Sequence, residues 1–235
     1  MTRWQRVAIN LFQPCQPALP LALLLSYGYR VSPKPPVKRP VFARHAASLI
    51  VLRAGPLGPE ALMGMRGAGH RFMPNRLVFP GGAVDRGDAS GPATTEPRED
   101  VLAALGRAAR PRLARALVAA AARELEEETG LTLGTPPRLD VIDYLCRAVT
   151  PPTMPMRFNA RFMVVDAAAT QGEISGSGEL ESVRFYPMAE ALAIELALVT
   201  REVLERLQGW LALSASMRRD RVKTDVFRER RWRLE

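Results

Sequence analysis

Arg123, Glu124, Glu126, Glu127 and Glu128 crowd charge into a segment whose neighbours are aliphatic. At about 100° per residue, with Glu124 as the zero of angle, Leu113, Leu117, Ala120 and Ala121 fall within about 60° of it, which defines the stripe expected to pack on a sheet. Glu124, Glu127 and Glu128 occupy the same arc, whereas Glu126 points the opposite way, to solvent. The inward stripe therefore changes from aliphatic to carboxylate in its last two turns. Like charges at i, i+3 and i+4 repel one another, and burying them unpaired costs several kcal/mol. A solvated acidic helix end is the plainer alternative, but a negative run is disfavoured near a helix C-terminus by the dipole, and these acids lie on the aliphatic stripe. The simplest compensating charge is a hard divalent cation. Carboxylate oxygens are preferred ligands of Mg²⁺, which keeps several waters and is completed by substrate phosphate oxygens.

The elements that must position these acids follow from periodicity and breakers. Ala46–Arg53 and Ala61–Met65 read as strands, with a Gly- and His-containing turn at 67–70. Arg76–Phe79 runs into Pro80-Gly81-Gly82, which is expected to stop regular structure. Helical spacing resumes at about Asp100 and, after Pro111 at a first-turn position, runs to Glu128, with Gly130 as its C′ residue. Val141–Ala148, Ala160–Val165 and Ser182–Tyr186 read as strands, and 189–196 and 200–213 as helices. Strands mixed with helices, including a long one mid-chain, predict an α/β sandwich with helices on both sides of a mixed sheet.

Pro80-Gly81-Gly82 together with Arg123-Glu124-Leu125-Glu126-Glu127-Glu128-Thr129-Gly130-Leu131 resembles the Nudix box, G-x5-E-x7-R-E-U-x-E-E-x-G-U with U aliphatic. The second half matches at every specified position. In the first half the box's first Glu falls on Asp88, and 34 residues rather than seven separate Asp88 from Arg123. The resemblance implies 27 extra residues inside the box loop, at about 89–115. Such an insertion resembles a coenzyme A-hydrolysing Nudix branch, as does the stretch Thr150-Pro-Pro-Thr-Met-Pro-Met-Arg-Phe-Asn-Ala-Arg-Phe162. The likeness spans about Ala46 to Leu213.

What the resemblance implies is a Nudix-type α/β/α sandwich and Mg²⁺-dependent hydrolysis of a diphosphate linkage in a nucleoside diphosphate derivative, coenzyme A or acyl-CoA being favoured. Glu124, Glu127 and Glu128 would bind Mg²⁺ or Mn²⁺, and Arg123 would orient one of those carboxylates. Gly81 and Gly82 would bring the backbone close to metal and diphosphate without steric cost. Asp88, one methylene shorter than Glu, is expected as an outer carboxylate, with Asp85 as a competing candidate. In several Nudix enzymes the general base lies outside the box, before a late strand; here Glu181, then Glu179, then Glu173 are the candidates. ADP-ribose, NADH and oxidised nucleotides are the competing substrates. A nucleotide-binding or regulatory Nudix module without hydrolysis is the rival class, motivated by Asp88 and the insertion.

Weaker signals surround this set. Arg71 has the offset of an arginine in a second coenzyme A-type motif, half matched here, and is carried as a candidate substrate ligand against a surface reading. Arg157 and Arg161 are candidates to receive a substrate phosphate, because a guanidinium fork suits phosphate oxygens.

The chain's 235 residues suffice for one enzyme-sized core, and 47% apolar with 24% charged residues excludes disordered and fibrous classes. Two cysteines exclude a disulfide-framed scaffold and point to a reducing, cytoplasmic setting. The net charge of +9 sits at the ends. Residues 1–59 hold eight Lys/Arg and no acid, 217–235 carry a net +4, and 60–216 a net −3, which argues against duplex nucleic acid as a partner. Residues 1–40 read as a basic, Pro-rich extension, 41–216 as the hydrolase domain and 217–235 as a basic tail forming a terminal helix. Val7–Tyr29 lacks charge, but prolines interrupt it and its apolar run is short of the roughly 20 residues a span needs, so a leader is favoured over membrane association.

Overall fold

The computed structural model describes residues 41–69, 73–176, 178–221 and 223–235. The extension 1–40, the histidine of the expected 67–70 turn and the candidate Arg71 lie outside the described residues. Strand β1 (Arg44–Gly55) explains why its sequence is apolar at consecutive positions. Ala47, Leu49 and Val51 enter one core while Ile50 and Leu52 enter another, so both faces of the strand are covered.

The strand turns into β2 (Gly58–Arg66), which also pairs with β3 (Leu77–Val78) and with β7 (Leu180–Pro187). On its other side β1 runs parallel to β6 (Phe158–Asp166), followed outward by β5 (Asp143–Val149), β8 (Asp225–Arg228) and β9 (Arg231–Leu234). Parallel and antiparallel pairs thus share one sheet, as the strand–helix alternation predicts. Gly81–Ala83, expected to interrupt regular structure, instead forms β4, paired antiparallel with β1 through Ala47↔Gly82 and Ser48↔Gly81. A diglycine can lie this close to β1 because a Cβ on Gly81 would meet the Ala47 carbonyl at 2.5 Å.

One face of the sheet is covered by α1 (Glu99–Gly106) and α2 (Pro111–Thr129), which bury Leu105, Leu117 and Leu125 against Leu49 and Met163. The other is covered by α3 (Met188–Ala193) and α4 (Leu198–Leu211), which bury Leu204 and Trp210 against Ile50, Leu145 and Phe162. The helical run read from Asp100 to Glu128 is two helices, because Pro111 forces Arg110 into an extended conformation with ψ 155°. The inserted segment packs into the fold: Arg115 donates to the Asp88 and Gly91 carbonyls at 3.1 and 2.9 Å and pairs with Glu96 at 2.7 Å.

The tail corrects its helical expectation. Only α5 (Ala215–Arg219) is helical; β8 and β9 extend the sheet instead. Phe227 and Trp232 stack with ring centroids 5.1 Å apart, and Trp232 Nε1–H donates to Glu202 at 2.7 Å. Alternating Arg and apolar residues suit a strand with one covered face as well as a helix, and the aromatic pair decides it. No helix among the described residues is long and apolar enough to cross a membrane. Trp232→Ala is expected to lower stability by about 2 kcal/mol in urea denaturation, while the far-ultraviolet dichroism of the folded protein stays unchanged.

Candidate active site

Helix α2 carries its acids to the sheet with its buried face centred near Leu125 and Glu128, about 60° from Glu124. This offset sorts the three carboxylates. The Glu128 side chain is 3% exposed and that of Glu124 12%, whereas Glu127, on the rim, is 56% exposed. Gly81 N–H donates to Glu128 Oε2 at 2.7 Å, tying the middle of the helix face to β4. A Cβ on Gly82 would meet the Glu124 carboxylate at 2.4 Å, so only glycine lets that acid lie against the strand.

Arg123 binds the acids together. Its Nη1 lies 2.9 Å from Glu124 Oε1 and 2.7 Å from Glu127 Oε2, its Nε 3.0 Å from Asp88 Oδ1, and Nη2 donates to the Ala83 carbonyl at 3.1 Å. Burial works against the guanidinium, but Asp88 and Glu124 hold its proton well above the ordinary arginine range. Asp88, expected as an outer metal carboxylate, is buried with both oxygens engaged: Oδ1 by Arg123 and Oδ2 by Asp85 N–H at 2.7 Å and by Arg123 Nη2 at 3.3 Å. The structure therefore places Asp88 as the seat of Arg123. Asp85 serves the same loop through its backbone.

The helix ends where the next contributor begins. Gly130, at φ 74°, accepts the left-handed conformation, and a Cβ there would strike Ser175 Oγ at 2.3 Å. Ser175 N–H donates to the Thr129 carbonyl at 2.8 Å, which docks the loop after β6 on the C-terminus of α2. Of the three base candidates, two on this loop and Glu181 at the start of β7, Glu179 is the one whose charge reaches both Glu124 and Glu128. Glu181 is exposed, opposite Met65 in the β2–β7 ladder, and Glu173 is exposed beside Gly130.

Arg66, at the end of β2, stands 3.7 Å from Glu128 Oε1, and its buried Nε has no hydrogen-bond partner among the described residues. Sequence reading passes it over, because an arginine closing an apolar strand before Gly67 looks like a solvated strand end. Arg161 also departs from expectation. It is 1% exposed, donating to the Asn159 and Ala108 carbonyls at 2.9 Å, near the opposite end of α2 from the acids. Its position on β6 turns it into the core, where it cannot take a phosphate held by the acidic cluster. Arg157 is likewise spent on the Val41 and Thr150 carbonyls.

The donor set fits a divalent cation. Burial raises the carboxyl pKa of Glu124, with Glu127 and Glu179 pushing the same way and Arg123 opposing. Burial likewise drives Glu128 up to about 7 against the pull of the Gly81 N–H and Arg66. Hard oxygen ligands that are costly to ionise where they stand are stabilised by a bound dication. Among the described residues no three such side chains converge into a complete metal site, because Arg123 draws Glu124 and Glu127 to itself.

The family model described as NUDIX domain matches residues 114–207. A Nudix hydrolase from Alicyclobacillus acidocaldarius superposes with a TM-score of 0.56 at 25% identity, covering 70% of this chain and 90% of that one. A MutT Nudix hydrolase from Burkholderia pseudomallei gives 0.48 at 19%, covering 71% and 99%. The Nudix domain of Shewanella oneidensis NrtR, solved with ADP ribose, gives 0.46 at 16%, covering 83% and 100%. No curated protein matches this sequence. Residues 114–207 thus match the Nudix domain model, and the described fold is that of a Nudix hydrolase structure.

The raised Glu128 gives the metal-free protein a pH signature. Its carboxyl is neutral in both folded and unfolded chains below about 4.5 and ionised in both above about 7, so its ionisation costs stability progressively between those values. Glu128→Gln is expected to remove up to ~3 kcal/mol of that decline, read by denaturant titrations across this pH window in chelator.

Proposed function

We propose that this chain hydrolyses the diphosphate linkage of a nucleoside diphosphate derivative with the help of Mg²⁺ or Mn²⁺, coenzyme A or an acyl derivative being the favoured substrate. The observation that carries the reading is Glu124 and Glu128, mostly buried against the Gly81–Gly82 backbone beside Arg123. Glu124 and Glu128 would hold the cation, with Glu127 reaching it from the rim when Arg123 releases it. A bound dication neutralises diphosphate oxygens and lowers the pKa of a coordinated water.

The chain's own groups do the rest. Arg123, anchored by Asp88, fixes the Glu124 carboxylate, so the ligand oxygens are set before substrate arrives. Arg66 presents a guanidinium beside Glu128, suited to a substrate phosphate oxygen. Glu179, whose charge bears on both buried acids, takes the proton of the attacking water, and Glu181 stands in reserve. The coenzyme A preference rests on the insertion inside the box and on the 150–162 stretch.

A panel of coenzyme A, ADP-ribose, NADH, dinucleoside polyphosphates and oxidised nucleotides, assayed with Mg²⁺ and with Mn²⁺, tests the reading. Coenzyme A is expected to give the highest kcat/KM, and Glu124→Gln to lower kcat at least 10²-fold with little change in fold by circular dichroism. Equal rates for the native chain and Glu124→Gln would end the proposal. Tight nucleotide binding without turnover over hours would instead identify a binding module.

A further inference from the structure

At the far end of α2, about 20 Å along the helix from Glu124 at 1.5 Å per residue, a cleft of about 600 Å³ opens between β1 and the α1–α2 connection. Its walls are His45, Gly106, Ala108, Ala109, Arg110, Pro111 and Leu113. Behind His45 stands Arg161, fully buried, whose partners are His45 Nδ1 at 3.3 Å and the Asn159 and Ala108 carbonyls. Among the described residues no carboxylate pairs with it. The nearby acid, Glu235, gives both side-chain oxygens to Arg147, the cross-strand neighbour of Arg161, at 2.9 and 2.7 Å. Half-buried Arg147 thus takes the carboxylate, and the fully buried Arg161 beside it feels Glu235 only at a distance; a buried cation without a paired counter-charge is costly.

The same arrangement fixes what the cleft offers. Arg161 can only donate, so His45 Nδ1 accepts, and the neutral imidazole carries its proton on Nε2. Burial, then the fields of Arg161 and Arg147, keep His45 below its ordinary pKa and in that neutral form. Arg110 lines the cleft with its side chain exposed and capping nothing, and the first-turn N–H groups beyond Pro111 have no side-chain cap. Donors and positive charge meet here, and among the described residues no carboxylate lines the cleft.

We infer that this cleft binds a phosphate group, through the His45 Nε2–H and Arg110, with Arg161, which has no paired carboxylate among the described residues, supplying positive charge behind them. The ligand class is a phosphate dianion, free or as a monoester, and the site is separate from the Glu124–Glu128 cluster. Phosphate there would supply the missing counter-charge and brace the α1–α2 connection, whose Ala108 carbonyl already caps Arg161.

The chain has two histidines, so side-chain ¹H–¹⁵N spectra resolve the site, with His45→Asn giving the assignment and His70 the reference. Inorganic phosphate and AMP are titrated separately into the full chain in chelator at constant ionic strength, with chloride as the control ion. His45 is expected to shift saturably with phosphate and not with chloride. Arg110→Ser, at an exposed position, is expected to weaken that binding about tenfold while coenzyme A hydrolysis in Mg²⁺ stays within twofold of native. A lower midpoint for AMP than for phosphate assigns the site to a monoester, and the reverse to the free ion. An unmoved His45 at about 20 mM phosphate, an equal response to chloride, or the same affinity in Arg110→Ser would each overturn the inference, whatever the hydrolysis assay shows.

Discussion

Carboxylates set on the apolar face of a helix are the constraint to which the rest of the site answers. Glu124 and Glu128 stand where aliphatic residues would have completed the stripe, and each loses hydration by doing so. Their cost is met locally by Arg123 on Glu124 and by the Gly81 N–H and Arg66 on Glu128. That compensation is partial, since both acids stay above their ordinary pKa. A bound dication, as proposed, would supply what the protein's own donors leave unmet, so that metal binding and folding energetics would meet at the same two residues.

The surrounding architecture follows from bringing backbone to those acids. Strand β4 must pass close enough to α2 for Gly81 to reach Glu128, and glycines at 81 and 82 remove the side chains that would block both β1 and Glu124. Gly130 turns the chain so that the loop carrying Glu179 docks on the helix end. Asp88 then has a positional part: it holds Nε of Arg123, whose terminal Nη1 divides between Glu124 and Glu127.

Much of this was legible in the sequence, and the failures have physical causes. The i, i+3, i+4 spacing located the acids because helical periodicity is local, yet it centred the buried arc on Glu124 rather than near Leu125, so Glu127 was read as equally inward. The diglycine was read as a stop because strand pairing is decided by a partner distant in sequence, here Ala47 and Ser48. Arg161 was offered to substrate on residue type alone, and its strand register with Arg147 sends it into the core instead. The tail's Arg-apolar alternation fits either period, and only the packing of Trp232 on Phe227 chooses the strand. Arg66 carried no signal of its own, since its value comes from standing beside Glu128 across the sheet.

The central claim is that buried, underpaired carboxylates on α2 are stabilised by a divalent cation. Mn²⁺ binding followed by electron paramagnetic resonance tests it most directly, comparing the native chain with Gly82→Ala, which crowds Glu124. The account predicts saturable Mn²⁺ binding that weakens at least tenfold in the variant while the far-ultraviolet dichroism is preserved. Native protein that takes up no Mn²⁺, or a folded Gly82→Ala that binds it as tightly, would contradict it.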